Sequence, residues 1–199
     1  MSRLAIVDSG GANIASLLFA FERLGVAAEL TTDAETIRTA PRVILPGVGA
    51  AGDAMQRLRD AQLVDVVRDL RQPVLGICLG MQLLCEASEE EDVECLGVLP
   101  GVARRLSVSD GLAVPNMGWC ATSPIRAHAV LQGVDEGSWF YFLHSYALPV
   151  ADETIATARH THEFAAAVAR DNFFAAQFHP ERSSRAGATL LANFLRWQP

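Results

Sequence analysis

The 199-residue chain contains no lysine: all sixteen of its basic residues are arginine. This absence excludes a Walker A lysine, a Schiff-base enzyme working through its own lysine, and a Ser-Lys dyad. Positive charge is scarce as well. Sixteen basic residues against 23 acidic ones leave a net charge of -7, so the basic footprint of a nucleic-acid or anionic-membrane binder is missing. No apolar run reaches the roughly 18 residues that a membrane span needs. Met1 to Leu4 leads into an apolar strand without the layout of a signal peptide, so a soluble, cytoplasmic protein is expected. Cysteines are few. Cys78, Cys85, Cys95 and Cys120 lack paired C-x-x-C spacing and read as free thiols of a reducing cytosol, not as disulfides or zinc ligands. Repeats, low-complexity tracts and linkers are absent too, and half of the residues are hydrophobic. One domain spanning residues 1–199 is the economical reading.

What is present alternates between strands and helices. Leu4 to Asp8 reads as a buried strand, Ser9-Gly10-Gly11-Ala12 as a turn, and Ile14 to Leu24 as an amphipathic helix closed by Gly25. Val26 to Thr31 and Arg42 to Leu45 read as further strands, the latter ending in the turn Pro46-Gly47-Val48-Gly49. A single helix is expected from Asp53 to Leu70. This order argues for an α/β fold with a mostly parallel sheet flanked by helices. From Val93 to Phe178 the segments shorten and glycine and proline become frequent, which reads as a strand-rich, partly antiparallel half. Ala175 to Phe178 would be its last strand and Gly187 to Trp197 a closing helix.

The chemistry concentrates at Cys78. In Gly76-Ile77-Cys78-Leu79-Gly80 an apolar run turns sharply into a segment with helical spacing, as in the Gly-x-Ser-x-Gly nucleophile elbow. Glycines two residues to either side remove side chains that would clash with the strained turn. The turn exposes the thiol, and the start of the following helix favours thiolate. The N–H of Leu79 is placed to donate to an oxyanion. Cys85, Cys95 and Cys120 lack this setting and read as small buried hydrophobes. A reactive thiol needs a base, and the base an orienter. His179-Pro180-Glu181 supplies both, since His179 ends an apolar strand and Pro180 fixes the turn that carries Glu181. His128, His160 and His162 read as surface or locally bonded residues. His160-Thr161-His162-Glu163 has no further ligand cluster nearby, and no metal or organic cofactor is implied.

Two segments, Gly76 to Gln82 and Gln177-Phe178-His179-Pro180-Glu181, together resemble the signatures of the class I (triad) glutamine amidotransferases. Leu45 to Gly49 with Gly52 to Met55, Val114 to Trp119 and Phe140 to Tyr146 narrow the resemblance to the glutaminase subunits of imidazole glycerol phosphate synthase. The resemblance spans almost the whole chain. It implies a single-domain, flavodoxin-like fold and a Cys78-His179-Glu181 triad that hydrolyses glutamine through a thioester. It assigns the second oxyanion donor, beside Leu79, to the turn Gly47-Val48-Gly49; because glycines on both sides of Val48 make a peptide flip cheap, this turn is expected to be a switch that the partner turns. It assigns glutamine binding to Gln82, Glu90, His144, Ser145 and Tyr146. The partner it implies is a β/α-barrel cyclase/synthase subunit in a heterodimer of histidine biosynthesis, and the ammonia is handed to that subunit. The acidic run Ser88 to Asp92 reads, apart from Glu90, as a solvated loop. Three departures stand out. Relatives commonly carry histidine at the position of Asn116, asparagine at Cys120, and tyrosine after the aspartate matching Asp8; Asn13 is expected near the interface. The rivals are an anthranilate-type amidotransferase subunit, a non-catalytic scaffold and a cysteine peptidase.

Overall fold

The computed structural model describes residues 4–10, 14–108 and 111–199, so the Gly11 and Ala12 part of the expected turn and Asn13 lie outside the described residues. The first half is built of β1 (Leu4–Val7), α1 (Ile14–Arg23), β2 (Ala28–Thr31), α2 (Ala34–Thr39), β3 (Val43–Gly47), α3 (Ala51–Asp60), α4 (Val64–Arg68), β4 (Val74–Cys78) and α5 (Leu79–Leu83). The second half contributes β5 (Ala87–Ser88), β6 (Val93–Glu94), β7 (Val102–Arg105), β8 (Asn116–Pro124), β9 (Ser138–His144), β10 (Tyr146–Ala147), β11 (Thr154–Arg159), β12 (Glu163–Arg170), β13 (Phe173–Ala176) and α6 (Ser184–Arg196). Nine strands form one sheet in the order β2-β1-β3-β4-β13-β12-β11-β8-β9. The pairs from β2 to β13 run parallel and those from β13 to β9 antiparallel. A small second sheet, β10-β7-β5-β6, lies beside it.

The parallel strands are continuous apolar runs because both their faces are covered. Leu4, Ile6, Ile44, Leu75 and Ile77 point to one side and pack with Leu17 and Phe21 of α1 and Leu190, Leu191 and Phe194 of α6. Ala5, Val7, Val43, Leu45 and Val74 point to the other and meet Ile37 of α2, Met55 and Leu58 of α3 and Val66 and Val67 of α4. A period of two in the strands thus meets a period of 3.6 in the helices on each face. No helix among the described residues is long and apolar enough to cross a membrane.

The helix expected from Asp53 to Leu70 is two helices. Gln62 adopts φ 56°, the Gln62 N–H bonds the Arg59 carbonyl at 2.9 Å, and the Leu63 N–H bonds the Leu58 carbonyl at 2.8 Å. This is a Schellman stop, made here without the glycine that normally signals it. It turns Leu63 into the core, where it is fully buried. The third strand also runs further than expected, so that Pro46 and Gly47 pair with Ile77 and Cys78 of β4. The last strand and closing helix each begin earlier, at Phe173 and Ser184.

Candidate active site

Cys78 ends β4 with φ 53° and ψ -111°, a backbone conformation that L residues rarely adopt. Its surroundings hold it there. Register places Gly47 beside Cys78, and Gly80 lies so close to β3 that any β-carbon on it would run into the Leu45 carbonyl. A side chain at Gly47 would meet Leu79 Cβ at 2.8 Å, so the Gly47-Val48-Gly49 turn sits directly against the elbow. Helix α5 has only five residues, so its dipole is smaller than the sequence pattern suggests, and the close backbone amides matter more.

His179 follows β13, the parallel neighbour of β4, and so reaches the same carboxyl edge of the sheet as Cys78. Pro180 opens a 3-10 turn, Pro180–Arg182, that brings Glu181 Oε1 within 2.9 Å of His179 Nδ1, with both side chains 5% exposed. The Ser183 hydroxyl ties the turn down, donating to the His179 carbonyl at 2.6 Å and accepting from the Tyr141 N–H at 3.0 Å. Burial pulls the imidazole towards neutrality. Hydrogen bonds and charge attraction from Cys78 and Glu181 outweigh it and raise the His179 pKa to about 10. The bound proton therefore favours the folded state below the ordinary histidine value of about 6.5, and that contribution fades as pH rises towards 10. The other carboxylate oxygen of Glu181 is buried without a hydrogen-bond partner.

Cys78 and His179 open into a cavity of about 650 Å³. Val48, Gly49, Leu79, Gln82, Glu90, His144, Ser145 and Tyr146 line it with them, so the structure brings together every nominated site residue except Gly47 and Glu181, which stand just behind its wall. Ser16, Pro115, Leu143 and Arg182 also line the cavity without having been nominated as site residues; Pro115 and Leu143 lie within segments that carry the resemblance, and Arg182 directly follows Glu181. The Arg182 guanidinium lies 4.1 Å from the centre of the Tyr141 ring.

The acidic run is solvated as expected at Glu89, Glu91 and Asp92, but it also serves helix α3. Helix α3 has Ala50 at its N-cap, with no side chain to accept its first N–H groups. Glu90 Oε2 accepts from the Ala51 N–H at 2.9 Å and Glu91 Oε2 from the Gly52 N–H at 3.1 Å instead. Two distant carboxylates thus cap the helix that follows the Gly47-Val48-Gly49 turn. Burial raises the Glu90 pKa, opposed by the Ala51 bond and aided by Glu91. One Glu90 oxygen remains for a cationic group in the cavity.

His144 is held neutral. Asn116 Nδ2 lies 3.0 Å from its Nε2 and the Tyr146 carbonyl 2.9 Å from its Nδ1. The carbonyl accepts, so Nδ1 carries the proton and Nε2 accepts from the amide. Burial pushes the imidazole down to about 4, against the raising effect of the Tyr146 bond and with repulsion from His160 and His179. An unfolded chain takes up this proton below about 6.5, whereas the folded one resists it until about 4. The stability that His144 contributes is complete above pH 6.5 and lost as pH falls towards 4, by roughly 3 kcal/mol at most. His144→Gln should cost stability at pH 7, and the gap to the parent protein should narrow between pH 6.5 and 4 in thermal melts. A gap that stays constant with pH would refute the assignment.

Cys78 is itself buried, not exposed as the turn suggested, but unlike the other thiols it lines the cavity. Cys85 and Cys95 are buried as well, and burial raises both, Cys95 to about 11. Cys120, in contrast to the buried position expected, is only partly buried; burial raises it, and a 3.5 Å contact with Asn116 Oδ1 opposes the rise. His128 packs on Phe174 and Trp197 and accepts from the Val130 N–H at 3.2 Å.

The family model for class-I glutamine amidotransferases matches residues 5–197. The "Imidazole glycerol phosphate synthase subunit HisH" of Xanthomonas axonopodis pv. citri is 51% identical over 195 residues, 98% of each chain. The protein of the same name from Xylella fastidiosa strain Temecula1 is 49% identical over the same share. Among solved structures, a putative GMP synthase subunit from Thermoplasma acidophilum superposes with a TM-score of 0.76 at 18% identity, covering 98% of this chain and 93% of its own. A glutamine amidotransferase from Thermotoga maritima gives 0.71 at 14% identity, covering 98% and 96%. At those identities the two structures speak for the fold.

Proposed function

The chain belongs to the class-I glutamine amidotransferase family, and we propose that it is the glutaminase subunit of an imidazole glycerol phosphate synthase, acting in the cytoplasm as one amidotransferase domain in histidine biosynthesis. The observation that carries this reading is the meeting of Cys78 and the His179–Glu181 pair at one edge of the sheet, above a cavity of about 650 Å³. The relatives at about 50% identity over the full length support the choice of synthase.

In this mechanism the Cys78 thiolate attacks the side-chain carboxamide carbon of glutamine, and the developing oxyanion is met by backbone N–H groups of Leu79 and Val48. His179 gives its proton to the departing nitrogen as the C–N bond breaks, releasing ammonia and leaving a γ-glutamyl thioester. Neutral His179 then takes a proton from water, whose oxygen attacks the thioester, and glutamate departs as the thiol is restored. Glu181 holds the imidazole in orientation through Nδ1. Proton transfer of this kind contributes roughly 10²- to 10⁴-fold, and an oxyanion donor about 3 to 4 kcal/mol. Gln82, Glu90, His144, Ser145 and Tyr146 form the glutamine pocket, with Glu90 facing the substrate ammonium.

Ammonia is protonated in neutral water and is then a poor nucleophile, so it must pass directly to the acceptor. One face of the β8–β9 hairpin suits a partner for this. Met117 pairs with Leu143 and Trp119 with Tyr141 across the register, and Met117 (65%) and Trp119 (47%) are exposed beside the cavity wall formed by Leu143. An apolar patch of this kind marks a contact surface. The occupant proposed is the β/α-barrel synthase subunit in a heterodimer, whose docking turns the Val48 peptide, flanked by two glycines, into the site.

The test is ammonia release from glutamine with and without the co-purified barrel subunit. Slow release alone and fast release in the complex are expected. Full turnover by the isolated chain would remove the switch at Val48, and no release in the complex would remove the glutaminase reading.

A further inference from the structure

Behind Cys78 lies a buried carboxamide that the proposed mechanism leaves unused. Gln177 is fully buried, and its Nε2 stands 3.6 Å from Cys78 Sγ. Its Oε1 accepts from Gln82 Nε2 at 3.0 Å, and the same Gln82 nitrogen donates to the Tyr146 carbonyl at 2.9 Å.

The directions of these bonds are fixed from one end. A backbone carbonyl can only accept, so Gln82 must turn its NH₂ group towards Tyr146. The second N–H of that group then points at Gln177, which must present its oxygen there. This leaves the NH₂ group of Gln177 facing the sulfur. Neither amide can flip without setting oxygen against oxygen in a site where unpaired polar groups are costly. His144, donating to the same Tyr146 carbonyl, leaves that carbonyl still an acceptor.

We propose that Gln177, oriented by Gln82, is a donor to the Cys78 sulfur that stabilises its thiolate ahead of attack on the substrate. An N–H bond to a charged sulfur is stronger than one to a neutral thiol, so it shifts the thiol towards the ionised form. The Leu143 carbonyl, 3.6 Å from the sulfur, acts in the opposite sense by accepting from S–H. The same bond favours the sulfur as leaving group when water opens the thioester, because the departing thiolate regains a full donor. The ionisable groups around this sulfur are His179 with Glu181 behind it, and Glu90, His144, Tyr146 and Arg182 on the cavity wall. None of them is altered in the test variants.

The proposal rests on Cys78 being the nucleophile, and its test is independent of turnover. The probe is iodoacetamide on the full chain without glutamine, with alkylation of the Cys78 peptide followed by mass spectrometry at pH 7 and at an alkaline pH that ionises any thiol. Gln177→Met conserves volume and removes the donor. It should slow alkylation about tenfold at pH 7 and leave the alkaline rate unchanged. A merely structural role would change access and slow both rates alike. Gln82→Met leaves Gln177 in place but frees its orientation, and should slow the pH 7 reaction several-fold with the same alkaline rate. Parent-like alkylation of Gln177→Met at pH 7, or equal slowing at both pH values, would overturn the proposal. If Gln177→Met loses its cooperative melt, an unchanged pH 7 rate in Gln82→Met overturns it instead. Absence of ammonia release in the complex would sink the glutaminase reading while leaving this comparison intact.

Discussion

Cys78→Ala should release no ammonia above background, a loss on the order of 10⁵-fold or more, and should remain folded. The size of the effect follows from covalent catalysis: without sulfur no thioester forms, and His179, the oxyanion donors and the pocket are left with nothing to act on. The fold survives because a β-carbon is already accommodated at residue 78, where only the sulfur is removed. Residue 78 nevertheless sits at φ 53° and ψ -111°, where a β-carbon is strained. Cys78→Gly removes that strain. It should be equally inactive yet melt above Cys78→Ala, by about 1–2 kcal/mol after the greater unfolded-state entropy of glycine is counted. The two melting curves and an ammonia assay in the partner complex decide both points. Turnover within a hundredfold of the parent protein in Cys78→Ala would mean that the thiol is not the nucleophile, and identical melts would mean that the elbow stores no strain.

The features legible in the sequence are those with local causes. Apolar runs of four or five residues followed by glycine-rich turns mark β1, β3 and β4, and the Gly-x-Cys-x-Gly spacing marks the elbow, because each requirement is met within a few residues of chain. The proximity of His179 to Cys78 is non-local, but it follows from a simple rule: both end parallel strands, and parallel strands end at the same edge of a sheet. What stayed hidden depends on partners far away in sequence. The stop after α3 carries glutamine instead of glycine, and Leu63 drives it by turning into the core. Glu90 and Glu91 look like a charged loop until they are seen against the bare N–H groups of Ala51 and Gly52, 39 residues earlier. Gln177 reads as one polar residue in an apolar strand, and only the fold sets it between Gln82 and Cys78. Asn116 faces His144 at 3.0 Å across the β8–β9 register, a pairing 28 residues apart that only the fold reveals.

Gly80→Ala is expected to be the most destructive single substitution in the scaffold of the site. Helix propensity alone predicts the opposite, since alanine is favoured over glycine inside a helix by about 1 kcal/mol. The close approach of α5 to β3 decides against it. A β-carbon at residue 80 would overlap the Leu45 carbonyl oxygen and lie 2.8 Å from the Leu45 carbonyl carbon. Both are backbone atoms of a central strand, paired on one side with β1 and on the other with β4, and neither can swing away as a side-chain tip could. Relief requires α5 to lift from the sheet. That movement would draw the Leu79 N–H away from the Gly47-Val48-Gly49 turn and open the packing of Leu79, Met81 and Leu83, all now buried. A loss of about 4 kcal/mol is expected, at the severe end for a point substitution. Gly52→Ala is the control. It also lies in a helix, but there the new β-carbon meets the end of the Glu91 side chain, which can turn away, so the loss should be nearer about 1 kcal/mol. Denaturant midpoints of the two variants measure the difference. If Gly80→Ala unfolds at the parent midpoint, the spacing of α5 and β3 is not what sets the elbow.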